Sequence, residues 1–464
     1  MNDLAGRAVT VVGLGKGRTA VGLVRFLTAR GARVTVTDAG GPDELAEGIG
    51  RLAGLDVTLA LGAAAGDAAI DSATLVFHIP GIRADDPRLR RAIARSLPVL
   101  TELELFFELC PAPIVGITGT KGKTTTTTLV GLMLRATGRR VLVGGNIGTA
   151  VLDDVDGLDP ADLVVLELSS FQLEPLRRSP EIGVVTLAGL DHLDHHLTPE
   201  TYHAAKRNLI AWQGPRDIAV LNLDDSATVA LHAGCRSEAR GFSLLRRPPR
   251  GAYLDASGDL TLVDGDRELR MLASADLIVP GRHNVANALA AAIVADAHGV
   301  APEAIAAVLR AFRGVPHRQE PVGDSGGVLW INNSQGTTPD STVVAVASYD
   351  RPAVLILGGV SKGMSFSAMA LAVVERGRAA VLIGRDADLI GVELVAAKKA
   401  LGKRDFVVAD AASIEEAVVR AEALARPGDV VILSPACTSF DMFSSFEERG
   451  DRFRAAVRML AVPA

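Results

Sequence analysis

Gly116-Ile117-Thr118-Gly119-Thr120-Lys121-Gly122-Lys123-Thr124, continuing into Thr125 to Thr128, is the stretch whose reading decides the fold. It begins inside a short aliphatic strand, Ile114-Val115-Gly116-Ile117, and runs toward a helix. Glycines let backbone N–H groups come close to phosphate oxygens, and a helix start adds its own unpaired N–H groups. In such a loop Lys123 neutralises β/γ-phosphate charge and the Thr124 hydroxyl is placed to ligate Mg²⁺. The strict pattern wants glycine at 117, where this chain has Ile117, so the match is to a variant phosphate loop. Gly119, Thr120, Lys121, Gly122, Lys123, Thr124 and Thr125 are the predicted nucleotide-binding stretch.

Working outward, Leu163 to Leu166 reads as a buried strand running into Glu167. A carboxylate there is where a nucleotide-bound Mg²⁺ finds an oxygen ligand, although a strand-end surface acid reads the same way. Asp191-His192-Leu193-Asp194-His195-His196 follows, and then Tyr202-His203-Ala204-Ala205-Lys206. Three histidines in six residues invite a zinc reading, yet no thiol completes such a site. The pattern favours one imidazole near the phosphate or a second Mg²⁺, with His195 and His196 as surface residues. On the N-terminal side, Ala8 to Val12, Gly13-Leu14-Gly15, a helical stretch and Arg33 to Thr37 ending at Asp38 form a Rossmann-like start. Cys110-Pro111-Ala112-Pro113 reads as a linker and Gly314-Val315-Pro316 as a second boundary. Aliphatic strands such as Ala353 to Leu357 and Val430 to Leu433 alternate with helical patterns beyond it. The predicted fold is therefore α/β in three domains: a Rossmann-like domain over 1–109, a central P-loop ATPase-like domain with a mainly parallel sheet over 110–315, and a Rossmann-like domain over 316–464.

Composition bounds the rest. In 464 residues, 48% are hydrophobic and 22% charged, enough apolar material for several cores. A net charge of −6 gives no support for non-specific nucleic-acid binding. No apolar run reaches the ~18–20 residues of a membrane span. The N-terminus lacks the basic-then-apolar order of a signal peptide, and Cys110, Cys235 and Cys437 are widely spaced. A cytoplasmic chain without membrane insertion is expected.

The order of these motifs resembles the Mur ligases. The phosphate loop, Gly144-Gly145-Asn146-Ile147-Gly148, Glu167 to Leu173 and Asp191 to Asp194 match in series. Pro280-Gly281-Arg282-His283-Asn284 and His317-Arg318-Gln319-Glu320 continue it. Leu433 to Asp441, with Phe446 and Glu448-Arg449-Gly450, looks like the member that adds D-glutamate. The resemblance covers nearly the whole chain. It implies an ATP-dependent ligase that phosphorylates the carboxylate of UDP-N-acetylmuramoyl-L-alanine and lets glutamate attack the acyl phosphate, in peptidoglycan precursor synthesis.

By resemblance the first domain binds the UDP substrate, the second ATP and the third glutamate. Lys123 binds the β/γ-phosphates, and Thr124, Glu167, His192 and Lys206 hold Mg²⁺, with Lys206 carbamylated. Without the family, Lys206 reads as a helix-surface lysine. Asn146, Ser169 and Gln172 face the muramoyl substrate; Asn284 and Arg318 contact the nucleotide; Thr337, Lys362, Ser439 and Phe446 hold the glutamate. The expected partners are these small molecules, for a monomer.

Several positions depart from the family pattern. Lys121 stands for asparagine, Asn333 for an acid, Gln335 for a cation and Ser361 for an aspartate. The first glycine loop is longer and carries Lys16 and Arg18, and His78-Ile79-Pro80 lacks a serine before proline. The same ligase chemistry with L-glutamate or another amino acid stays open. So does a non-catalytic nucleotide-binding homologue. A nicotinamide-dependent oxidoreductase rests only on Gly13-Leu14-Gly15 and Asp38.

Overall fold

A computed structural model of the chain describes residues 4–15, 18–62, 65–147, 150–189, 193–279 and 281–460; of Arg18, Leu193 and Asp194 only the backbone is described. Two compact units, Met1–Phe312 and Arg313–Ala464, divide it. The first unit carries two sheets and the second carries one.

The first sheet contains β1 (Ala8–Val12), β2 (Arg33–Asp38), β3 (Val57–Leu61), β4 (Leu75–His78) and β5 (Val99–Thr101). Its order is β3-β2-β1-β4-β5, with every neighbouring pair parallel. The order reverses between β1 and β4, which opens a crevice beyond their carboxyl ends. Gly13 and Pro80 follow those two strands. The second sheet contains β6 (Ile114–Thr118), β7 (Val141–Gly145), β8 (Leu163–Glu167), β9 (Ile182–Val185), β10 (Ile218–Asn222), β11 (Glu238–Ser243), β12 (Arg250–Leu254), β13 (Asp259–Asp264) and β14 (Arg267–Ala273). Strands β7-β8-β6-β9-β10-β11-β12 are parallel, and β13 and β14 add an antiparallel extension. Every residue of β6 and β8 is buried, and both read as apolar runs up to their last residues, Thr118 and Glu167.

The two sheets share one core. Leu23, Phe77 and Phe106 from the first layer and Ile114, Leu152 and Val164 from the second belong to the same buried cluster. Ala112 is packed into it, so the segment Cys110–Pro113, read as a linker from its sequence, takes part in that core. Helix Arg18–Ala29 comes so close to the second layer that a Cβ on Gly22 would lie 2.4 Å from Ala150 Cβ.

The second unit holds β15 (Glu320–Ser325), β16 (Val328–Asn332), β17 (Ala353–Gly358), β18 (Gly377–Ile383), β19 (Val407–Asp410) and β20 (Val430–Leu433). The order is β15-β16-β20-β17-β18-β19, and only β15 runs antiparallel. Separate apolar clusters cover its two faces, one with Leu355, Met369 and Leu394, the other with Ile356, Val418 and Phe453. The expected α/β architecture with mainly parallel sheets is what the strand orders describe.

Candidate functional site

The phosphate loop leaves β6 between its neighbours β8 and β9 and enters helix Lys123–Leu134. Two glycines make its shape. At Gly119, with φ of +152°, a Cβ would lie 1.9 Å from Thr186 Oγ1; at Gly122, with φ of +87°, it would lie 2.4 Å from Asn287 Oδ1. Only glycine fits either place. The loop is tied down from β9's end. The Thr186 hydroxyl donates to the Lys121 carbonyl at 2.6 Å, and Thr120 N–H donates to Leu187 O at 2.8 Å. The Thr120 hydroxyl meets Gly189 O and the Tyr202 hydroxyl. Lys123 Nζ donates to Gly119 O at 2.8 Å, folding its cation over the loop that it closes. Thr124 is buried, Thr125 half-buried and Lys121 exposed. Thr186 and Asn287 were not predicted as site residues, since a brace from another strand or helix leaves no local pattern.

Glu167 ends β8 and is 2% exposed, so it is no surface acid. Its Oε1 accepts from Asn146 Nδ2 at 3.0 Å. Its Oε2 is buried with no hydrogen-bond partner among the described residues. A buried carboxylate oxygen left bare beside a phosphate loop fits a hard cation, which takes oxygen ligands. The glycine cradle, which a Cβ would fill, fits a phosphate in the same way. Lys206 lies on helix Pro199–Ala211 and is also 2% exposed, its Nζ 4.6 Å from the Tyr202 ring centroid. This corrects the helix-surface alternative. The signal was present: Tyr202, Ala205, Lys206, Leu209 and Ile210 form the buried stripe of an amphipathic helix. His192 lies outside the described residues, as does Lys16. His196 is buried, against the surface position expected for it, and His195 is partly covered.

Asn146, Ser169 and Gln172 come together. With Gly145 and Phe171 they form one wall of a cleft of about 310 Å³, and Thr19 of helix Arg18–Ala29 with Pro80 and Gly81 after β4 form the other. Ser169 and Gln172 are also a capping box. Ser169 Oγ accepts from Gln172 N–H, and Gln172 Oε1 accepts from Ser169 N–H at 3.0 Å, which aims both side chains from a fixed turn. Asn284 stands in the first turn of helix Arg282–Ala297, and it and Thr125 border one small apolar cavity.

Asp38 has another use than a ribose. Its Oδ2 accepts from Leu14 N–H at 2.7 Å and Gly15 N–H at 3.3 Å, and its Oδ1 from Gly40 N–H at 3.0 Å. Desolvation opposes ionisation there, but those backbone bonds and Arg88 outweigh it and hold the carboxyl below its ordinary range. The acid shapes the glycine turn, which removes the support for a nicotinamide site.

In the second unit, Lys362 Nζ donates to Thr337 Oγ1 at 2.8 Å. Ser361 Oγ accepts from Gly363 N–H at 3.1 Å, closing the turn that carries Lys362. Val360 and Thr438 exchange two backbone bonds, which brings the buried Ser439 beside this turn. Phe446 begins helix Phe446–Leu460, and its carbonyl accepts from Ser334 Oγ. Asn333 is buried and satisfied as an amide: Oδ1 accepts from Gln319 N–H and Nδ2 donates to Ser434 Oγ at 3.0 Å. Arg318 belongs to this unit. A third residue had been given no role from the sequence. Arg449 is fully buried, and its guanidinium ties Ser334 Oγ and O, Cys437 O and Gly358 O together at the carboxyl ends of β16, β20 and β17. Burial pushes it down to about 10, still charged at neutral pH. A fully buried arginine breaks the expectation that charges stay outside, so the Glu448-Arg449-Gly450 motif, though part of the resemblance, did not by itself give Arg449 this place.

The family model of the Mur ligase MurD-like N-terminal domain matches residues 7–101, that of the Mur ligase middle domain 117–295, and that of the Mur ligase glutamate ligase domain 317–437. The chain belongs to the Mur ligase family. It is 42% identical over 461 residues to the UDP-N-acetylmuramoylalanine--D-glutamate ligase of Pelotomaculum thermopropionicum, covering 99% of both chains. It is 40% identical to the enzyme of the same name from Symbiobacterium thermophilum, over 97% of this chain and 98% of the other. In fold, it is similar to the crystal structure of the UDP-N-acetylmuramate-alanine ligase of Thermotoga maritima, with a TM-score of 0.52 at 20% identity over 97% of this chain and 99% of that one.

Proposed function

We propose that this chain is an ATP-dependent ligase that joins D-glutamate to UDP-N-acetylmuramoyl-L-alanine, releasing ADP and phosphate, in the cytoplasmic making of peptidoglycan precursors. The observation that carries the reading is one juxtaposition. In a single unit, a braced phosphate loop adjoins the bare Glu167 oxygen, and Asn146 links Glu167 to the wall of the cleft. The full-length likeness to D-glutamate ligases supports the choice of amino acid. The proposed domains are 1–109 for the UDP substrate, 110–315 for ATP and 316–464 for glutamate.

The residues then divide the work. Backbone N–H groups of the loop at Gly119, Gly122 and Thr124, with Lys123, hold the β/γ-phosphates, and Thr125, Asn284 and Arg318 help seat the nucleotide. Thr124, Glu167, His192 and carbamylated Lys206 would hold Mg²⁺, which when bound spreads phosphate charge. Asn146, Ser169 and Gln172 orient the muramoyl-alanine so that its carboxylate meets the γ-phosphate. Phosphorylation turns a poor electrophile into an acyl phosphate. Lys362, Thr337, Ser439 and Phe446 present the glutamate, whose amine adds to the carbonyl carbon; the tetrahedral adduct expels phosphate and loses the amine proton. Carbamylation of Lys206 exchanges a buried cation for an anionic metal ligand, and its 2% exposure supports that part of the proposal.

The test is phosphate release with ATP, UDP-N-acetylmuramoyl-L-alanine and each glutamate enantiomer. Release that requires both the nucleotide substrate and D-glutamate is expected. Release with L-glutamate alone would reassign the amino acid, and none with either would leave a nucleotide-binding homologue.

A further inference from the structure

The ligase chemistry leaves two histidines without a task. His195 and His196 end the short helix Leu193–His196 and meet Glu174, just beyond helix Ser170–Leu173. His195 Nε2 lies 3.0 Å from Glu174 Oε2, and His196 Nδ1 lies 4.0 Å from the same oxygen. The three ligand atoms fall within 4.8 Å of one another. A tetrahedral ion with bonds of about 2.0–2.1 Å spaces its ligand atoms roughly 3.4 Å apart. The observed separations bracket that value.

The rings are set in advance. The His196 side chain is fully buried, and its Nε2 lies 2.9 Å from Ser170 Oγ, so the opposite ring nitrogen faces Glu174. A metal-binding imidazole is commonly oriented in this way by a partner on its other nitrogen. Phe171 packs edge-on against His195 at 4.6 Å and stacks on His196 at 5.5 Å. The neighbouring cation is engaged elsewhere: Arg83 Nε and Nη2 bond Asp85, and Nη1 bonds the His195 carbonyl at 3.0 Å. That bond fixes the histidine segment; Arg83 and His78 lie within electrostatic reach of Glu174, whose carboxylate bonds His195 Nε2.

We propose that Glu174, His195 and His196 form a site for a divalent transition-metal ion of the zinc class, separate from the magnesium chemistry at the phosphate loop. Two imidazole nitrogens and one carboxylate oxygen suit zinc, whereas magnesium prefers an all-oxygen octahedron. Three protein ligands leave a fourth position for water. Phe171, which holds both rings, also lines the cleft beside Gln172, so a bound ion would pin one wall of that cleft.

The test is equilibrium dialysis and calorimetric titration of the full chain with zinc chloride in excess Mg²⁺, with cobalt(II) as an optical probe. One zinc per chain at micromolar affinity or tighter is expected, with the intense visible bands of four-coordinate cobalt. Glu174→Gln and His195→Gln, at positions partly open to solvent, should each weaken zinc binding at least tenfold while the zinc-free melting curve is kept. Failure to bind zinc from micromolar solution overturns the proposal. So does wild-type affinity in both variants, since the ion would then sit elsewhere. The readout is metal content, so loss of the ligase reading leaves the result intact.

Discussion

Lys206 shows how far the burial of one side chain alters a chemical reading. A lysine at 2% exposure on the apolar stripe of its helix is costly as a plain cation, and a carbamate there has a use. Lys206→Ala is expected to be almost inactive and partly rescued by acetate, with bicarbonate stimulating only the wild type. An active, bicarbonate-insensitive variant would mean that the metal site is built otherwise. Lys362 is the matching case in the second unit. It already holds the Thr337 hydroxyl at 2.8 Å, so the two donors for a carboxylate are aligned. Lys362→Ala should raise the glutamate KM by roughly tenfold or more and leave the ATP KM nearly unchanged. Equal shifts in both would detach Lys362 from the amino-acid site. At this scale the sequence was legible where chemistry and local pattern coincide, as at Lys123 and Glu167. It was silent where the partner is remote. Asn287 under Gly122, Thr186 beside Gly119 and Arg449 reaching Ser334 and Gly358 act through contacts far apart in the chain, and no local spacing encodes them.

At the scale of elements, β6, β8, β17 and β20 were readable because buried parallel strands are short aliphatic runs. The place of the junction between the first two sheets was readable at Cys110–Pro113, but its packing into the shared core was not, because its composition is that of a linker. Glu102 sits at that junction, at the start of helix Glu102–Leu109. Its Oε1 is buried without a hydrogen-bond partner among the described residues, and burial, aided by Asp153, pushes its carboxyl up to about 8. The folded chain therefore holds this proton more tightly than the unfolded one. The resulting stabilisation is full below the ordinary value of 4.5 and is lost as pH rises toward about 8. Glu102→Gln should remove on the order of a few kcal/mol of that decline. Urea midpoints for both proteins at pH 5 and pH 8 check it; parallel pH trends would mean that Glu102 is solvated in solution.

The whole molecule consists of two units with separate cores, Met1–Phe312 and Arg313–Ala464. The first contains both walls of the cleft, and the second contains the Lys362 and Ser439 turns. Calorimetry should resolve two transitions. UDP-N-acetylmuramoyl-L-alanine at a hundredfold excess over its Kd should stabilise the larger unit by about 2.7 kcal/mol and leave the smaller one in place. A single transition that moves as a block would mean that the units unfold together.

Cys437 carries a practical corollary. Its thiol is fully covered, its carbonyl is held by Arg449, and burial pushes it up to about 12. Cys110 and Cys235, both in the larger unit, are half-covered and raised as well. Nucleophilic attack needs the thiolate, so alkylating reagents should pass over Cys437 until its surroundings come apart. The rate at which it is modified is then a clock for excursions of the smaller unit alone, read by mass spectrometry from a single peptide. Saturating D-glutamate should slow that clock without touching the rates at the other two cysteines.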